Sequence, residues 1–354
     1  MYQPKYAITH KLLRSINRIV EAHALIVNAP LKPRWEANLK YRALVKSVHS
    51  STHLEGNPLT EQEVDQVLRG EKPKRLFRKR DIQEVKNYRE ALQSISDTYK
   101  DPKLVIDENS ILRLHELCVK NIEGMENEAG RYRSVQNYIV AGHNRTPIYI
   151  PPKAKDAPQL MTDLVGWIQQ AEKTEISPFI ISAIAHYEFE SIHPFVDGNG
   201  RTGRALSTVI LYKMGYDTKS LFSLEEYFDT YPGEYYGSLN KIRSSYSENP
   251  NPDLTEWVEF FVHALEIEMM KVEAEVKEYL EQEDLRKDLK KQEINRRQFQ
   301  AVKYLQKYGQ IQSHEYANRF KCSRETAVQD LKGLVERGVL ETQGSGPQLR
   351  YVLK

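Results

Sequence analysis

Apolar residues recur every three or four positions from Trp35 to His53, from Ile82 to Tyr99 and from Glu108 to Ile122. That period predicts amphipathic helices over all three stretches. Leu160 to Ala171 repeats the pattern after Pro151-Pro152. Ser177-Pro178 then offers a helix opening, a polar cap followed by a proline in the first turn. Phe179, Ile180, Ala183, Ile184 and Tyr187 continue the apolar series from it. One island breaks the rhythm. Between Gln136 and Pro151, the runs Tyr138-Ile139-Val140 and Ile148-Tyr149-Ile150 flank Ala141-Gly142-His143-Asn144-Arg145. Two β-rich runs around a Gly/Asn turn predict a hairpin. Val262 to Arg297 is a long charged stretch with neither glycine nor proline, read as a helix leading to a last domain. In that domain Gln298–Tyr308, Ser313–Phe320 and Ser323–Arg337 read as helices. Two short β-runs around Gly344-Ser345-Gly346 follow, which is the winged helix-turn-helix pattern. No repeat or low-complexity tract interrupts the chain.

Composition narrows the class. The chain has 354 residues, 40% hydrophobic and 28% charged, a balance that forms a real core. No apolar run approaches the roughly 20 residues of a membrane span. The segment Met1-Tyr-Gln-Pro-Lys-Tyr6 lacks the apolar core of a secretory signal, so a cytoplasmic protein without membrane contact is expected. Cys118 and Cys322 lie too far apart for metal-ligand spacing and read as reduced thiols. The net charge is +2 but unevenly spread: residues 294–354 carry eleven Lys/Arg against five Asp/Glu. A basic tail on a mildly acidic body suggests different partners for the two parts.

The chemistry concentrates in His193-Pro-Phe-Val-Asp-Gly-Asn-Gly-Arg-Thr-Gly-Arg204. Glycines 198, 200 and 203 allow close backbone approach to a ligand. A helix from about Thr202 to Met214, stopped by Gly215, puts the Gly-Asn-Gly-Arg turn at a helix N-terminus, where N–H groups and the dipole favour an anion. Arg201 and Arg204, three apart, share a helix face, and guanidinium forks match phosphate oxygens. Asp197 is a hard carboxylate suited to Mg²⁺. His193 suits a general base near neutral pH. Phe195 reads as the apolar plug that seats the loop. Together these residues describe phosphoryl or nucleotidyl chemistry.

This segment resembles the signature of the Fic family, His-x-Phe-x-(Asp/Glu)-Gly-Asn-Gly-Arg-x-x-Arg, at every specified position. The resemblance implies a mainly α fold, a Fic-type helical bundle with a β-hairpin flap, here followed by a winged helix-turn-helix domain. It implies an adenylyltransferase that moves AMP from ATP, with Mg²⁺, onto a Tyr, Thr or Ser hydroxyl of a target protein and releases pyrophosphate. In that reading His193 deprotonates the hydroxyl, and Asp197 holds Mg²⁺ between the α- and β-phosphates. Gly198, Asn199 and Gly200 line an anion hole, Arg201 clamps the β-phosphate and Arg204 the γ-phosphate, with Thr202 and Gly203 in the same cradle. Gly130-Arg-Tyr-Arg133 resembles the family's lead-in to the hairpin. Ile139, Val140, Ala141 and Gly142 would form the flap that docks the target by strand addition. Tyr235-Tyr236 resembles the paired tyrosines that enclose the adenine, with core packing as the competing reading.

Upstream, Ser51-Thr-His-Leu-Glu55-Gly56 resembles the family's inhibitory motif. In that reading Glu55 pairs with Arg204 and removes the γ-phosphate clamp; the same glutamate could orient water for removal of the nucleotide. The implied organisation is an N-terminal helical region (1–105) with an inhibitory helix near 40–57, a catalytic core (106–262) with flap (136–151) and active loop (193–204), a charged helical linker (263–294) and the winged helix (295–354). In the tail, Ser323 caps a recognition helix whose Arg324, Thr326 and Gln329 would face a DNA groove, with protein contact as the alternative and Glu325 and Asp330 diluting its charge. Self-modification and a homodimer are further expectations. Two other function classes stay open: transfer of UMP, phosphocholine or phosphate on the same fold, and a DNA-binding regulator that uses the body as a nucleotide sensor. A phosphate-transferring relative has lysine at the position of Gly200, so the glycine favours nucleotidyl transfer.

Overall fold

A computed structural model describes residues 2–354 except 100, 102, 142–145, 243–245, 247, 292 and 293. The chain divides into two compact units, Met1–Val276 and Lys277–Lys354. The first contains helices α1 (His10–Asn28), α2 (Pro33–His53), α3 (Glu61–Leu68), α4 (Lys79–Thr98) and α5 (Glu108–Val119). A hairpin of β1 (Ile139–Ala141) and β2 (Thr146–Tyr149) follows. Then come α6 (Ala157–Ala171), α7 (Pro178–Ile192), α8 (Asn199–Lys213), α9 (Leu224–Thr230), α10 (Pro232–Ile242) and the start of α11 (Thr255–Lys291).

At the centre is α7. Every residue from Phe179 to Ile192 is buried, as a helix apolar on all sides requires. It packs against α6 and α8, and α8 packs in turn on α5, α4 and α2. From α11, the Trp257 indole donates to the Ala183 carbonyl at 2.7 Å. Pro178 sets the first turn of α7 alone, since the Ser177 hydroxyl makes no capping bond. The sequence reading is silent on α1, although Thr9 caps it and Leu12, Ser15, Ile19, Ala22 and Ile26 line its buried face. α11 begins at Thr255 rather than near residue 262, because Asp253 accepts from the Thr255 N–H at 2.9 Å and starts the helix earlier.

The hairpin pairs Ile139 with Tyr149, Val140 with Pro147 and Ala141 with Thr146, with an irregularity after Ile139. The sheet has two strands, so β1 keeps an open edge among the described residues. Tyr138, Val140 and Ile150 are exposed. Gly142, expected in the flap, lies outside the described residues.

The second unit takes the rest of α11, then α12 (Arg296–Tyr308), β3 (Gln310–Ile311), α13 (Ser313–Arg319), α14 (Arg324–Glu336), β4 (Leu340–Gln343) and β5 (Arg350–Leu353). Three helices and an antiparallel sheet of order β3-β5-β4 form a winged helix, with β3 as a third strand beyond the two read from sequence. Ser323 caps α14 by accepting from the Thr326 N–H. Asp330 turns inward instead of diluting the outer face. It accepts from Asn295 Nδ2 at 2.8 Å, Arg297 Nε at 3.0 Å and the Tyr316 hydroxyl at 3.0 Å.

Candidate active site

α7 ends at His193, whose backbone is left-handed (φ 50°, ψ 59°). That conformation strains a residue with a Cβ, and it turns the chain from the core into the loop. Phe195 is fully buried and stacks flat on the His115 ring, 3.7 Å between centroids. Asn199 closes the loop on itself: its side-chain oxygen accepts from the Phe195 N–H at 2.9 Å, and its amide donates to the Phe195 carbonyl at 2.8 Å. Gly198 caps α8 at φ 79°, and the helix starts at Asn199, three residues earlier than the sequence suggests. A Cβ there would lie 2.6 Å from Val119 Cγ1, so glycine is required. The Thr202 hydroxyl donates to the Gly198 carbonyl at 2.8 Å and secures the first turn. Gly203 lets α8 lie against Glu190 and Phe189.

Two groups distant in sequence fix this loop. The Arg133 guanidinium donates to the carbonyls of His193 (2.9 Å), Val135 (3.0 Å) and Pro152 (2.6 Å), tying the hairpin to the loop. Asn137 adds a bond to the Phe195 carbonyl at 2.7 Å. His115 is the second group. Its Nδ1 accepts from the Gly130 N–H at 3.0 Å, so its Nε2 donates to the Asp197 carbonyl at 3.0 Å. Burial holds His115 neutral, down to about 4, against the opposing pull of the Asp197 carbonyl.

Charge is tightly arranged. Arg204 is buried, and its Nε and Nη2 donate to Ser51 Oγ and Ser51 O, each at 2.9 Å. Its Nη2 also donates to Glu55 Oε1 at 2.8 Å. Burial opposes the Arg204 charge, yet Glu55 and the nearby tyrosines hold its pKa well above the ordinary value. Gly56, at φ 84°, ends the helical turn that presents Glu55. A Cβ on Gly200 would meet Glu55 Oε1 at 2.0 Å, so the carboxylate sits on the first turn of α8, where N–H groups attract anions. Arg201 shares the helix face with Arg204 but has its own carboxylates, Asp197 at 3.3 Å and Glu84 at 3.6 Å. Burial would raise the Asp197 carboxyl, but Arg201 and Arg80 outweigh it and hold it below its usual range.

His193 lies at the edge of this cradle with 20% of its side chain exposed, its Nδ1 3.9 Å from Glu190 Oε2. The two tyrosines part company. Tyr235 is buried and bonded to His186 Nε2 at 2.9 Å, so it backs the site. Tyr236 is exposed on one side and donates to the Leu54 carbonyl at 3.0 Å, beside Glu55. Among the described residues no three His, Cys, Asp or Glu side chains gather to hold a metal. Asp197 alone is a hard donor that fits Mg²⁺ if a nucleotide supplies further oxygens, as Mg²⁺ sites commonly require.

Sequence reasoning missed His115, Glu190, Glu84 and Arg80. Only His115 left a local sign, as an imidazole on the apolar face formed by Ile111, Leu114 and Cys118 of α5.

Residues 105–211 match the model of the Fic/DOC family. The chain is similar to the protein adenylyltransferase Fic of Drosophila grimshawi, 35% identical over 114 residues, 32% of this chain and 22% of that protein. It is similar also to that of Drosophila sechellia, 30% identical over 182 residues, 50% of this chain and 34% of that protein. The chain thus spans 22% to 34% of the length of these curated relatives. A crystal structure of a Fic family protein from Desulfovibrio desulfuricans G20 matches with a TM-score of 0.62 at 28% identity, over 100% of this chain and 98% of that one. The helical bundle with its hairpin and C-terminal winged helix is therefore of the Fic type.

Proposed function

We propose, from the premise that residues 105–211 match the Fic/DOC family, that this chain transfers AMP from ATP to a hydroxyl side chain of a target protein and is held inactive by Glu55. The observation that carries the reading is the Glu55 carboxylate on the first turn of α8, against Arg204 and beside Gly200. An anion-binding helix end filled by the chain's own acid is a site built for phosphate and occupied by a surrogate.

In the active state the Glu55 side chain withdraws, and Arg204 and the α8 N-terminus receive the β,γ end of the nucleotide. His193 takes the proton of the target hydroxyl, whose oxygen forms a bond to the α-phosphorus as the bond to the β-phosphate oxygen breaks. Pyrophosphate leaves, and positioning with charge neutralisation supplies most of the rate. Asp197 would hold the divalent ion, which when bound neutralises phosphate charge. The open edge of β1 would pair with an extended target segment. Gly200 supports nucleotidyl over simple phosphoryl transfer, since the phosphate-transferring relative has lysine at this position. ATP labelled at the α- or γ-phosphate tests the reading, in wild type and in Glu55→Gly. Label in protein from the α position alone is expected; label from γ alone assigns phosphorylation, and no label with either assigns the nucleotide to a sensing role.

A further inference from the structure

The basic run Lys72–Arg80 reads from sequence as a solvated loop, and Arg80 is indeed exposed, yet its guanidinium has two carboxylate partners. It stands in the first turn of α4, and its Nη2 donates to Asp197 Oδ2. Its Nε donates to Glu84 Oε1 at 2.9 Å. The other Asp197 oxygen accepts from the Gly198 N–H at 2.5 Å and from Arg201 Nη2 at 3.3 Å. Both oxygens of the Asp197 carboxylate are thus engaged by the chain's own hydrogen-bond donors. A divalent ion binds such a carboxylate by direct contact with an oxygen, and a guanidinium bonded to that oxygen occupies the same place with the same sign of charge.

We propose that Arg80 is the resident cation of Asp197, a positioning residue that a divalent metal must displace, and that it sets the metal concentration at which the nucleotide site becomes charged. The proposal rests on reading Asp197 as the metal ligand. Glu84 makes the exchange feasible, because Arg80 keeps a carboxylate partner after leaving Asp197. Glu84 is itself buried and receives the Asn57 amide at 3.0 Å, and the same amide donates to the Asp81 carbonyl at 2.9 Å. Asn57 follows Glu55-Gly56, so the turn that carries the inhibitory glutamate also braces the turn that carries Arg80. Arg204 and Arg80 are each held by an acid, Glu55 and Asp197, and the two contacts share Asn57 as an anchor.

The test is Mn²⁺ binding by full-length protein in the Glu55→Gly background with saturating α,β-methylene-ATP, read as loss of the free Mn²⁺ electron-spin-resonance signal. Arg80→Ala is expected to lower the Mn²⁺ concentration for half-saturation about tenfold, and Arg80→Gln to act alike. Asp197→Ala is expected to weaken Mn²⁺ binding and to abolish the effect of the second substitution in Asp197→Ala/Arg80→Ala. Half-saturation unchanged or raised by both Arg80 variants, with binding still dependent on Asp197, overturns the proposal alone. Mn²⁺ binding indifferent to Asp197→Ala overturns the metal-ligand reading and the proposal with it.

Discussion

His115 shows how a single side chain outside the signature governs it. Neutral and buried, it accepts from Gly130 on one ring nitrogen and donates to the Asp197 carbonyl on the other, while its ring supports Phe195. Its pKa falls from the model-peptide 6.5 to about 4 on folding. The unfolded chain therefore binds more protons between these values, so stability is fully present above pH 6.5 and is lost as pH falls toward 4. The shift corresponds to about 3 kcal/mol. Thermal melts of wild type should lose stability across this window, and His115→Gln should be less stable at pH 7 but show a shallower loss. Equal slopes would remove His115 from the account. The contiguous loop 193–204 was legible because its chemistry is local: twelve successive residues combine a base, an acid, glycines and two arginines at helical spacing. His115, Glu190, Glu84 and Arg80 were not, because only the packing of α5, α7 and α4 brings them to that loop, and an isolated His, Glu or Arg carries no period.

Among the elements, α2 and α8 carry the two partners of the autoinhibitory contact proposed above, Glu55 and Arg204. Ser51, Glu55 and Gly56 fall at the end of α2, where a carboxylate meets the unfavourable end of its own helix dipole; the Arg204 guanidinium and the opposite dipole end of α8 offset that. Sequence located both α2 and α8, but not the packing that brings the turn after α2 onto the first turn of α8. α10 delivers Tyr236, whose hydroxyl holds the Leu54 carbonyl, so this tyrosine steadies the turn that presents Glu55. Loss of one such bond is worth about 1 kcal/mol. Tyr236→Phe is expected to raise self-modification about fivefold in the wild-type background and to leave Glu55→Gly unaffected in the same assay. No rise in the first background assigns Tyr236 to packing. The hairpin was visible as two β-rich runs around a Gly/Asn turn, whereas its tether to the loop through Arg133 was not, since that bond pattern depends on three carbonyls from separate segments.

At the scale of the whole molecule, the chain forms two units, and the basic excess lies in the second. Winged-helix topology was legible from three helices and a glycine turn, but the direction of Asp330 was not. Its carboxylate collects Asn295, Arg297 and Tyr316 inside the second unit, leaving Arg324, Glu325, Gln329 and Lys332 exposed on α14. One acid fewer thus faces outward on α14 than its sequence implies, with Glu325 and Glu336 still exposed. Removing Asp330 strands three polar partners, at a cost of roughly 2–4 kcal/mol. Asp330→Ala should lower the melting transition of the C-terminal unit and leave nucleotide transfer by the catalytic body in place; an unchanged melt contradicts the hub. In the first unit, the Glu55 carboxylate sits against Arg204 on the first turn of α8, where the proposed function places phosphate. Intact-mass spectrometry of Glu55→Gly after incubation with ATP and Mg²⁺ tests that function directly. The account predicts protein heavier by one or more AMP groups, little of it in wild type and none in Glu55→Gly/His193→Ala; unmodified Glu55→Gly, or equal modification in all three, contradicts it.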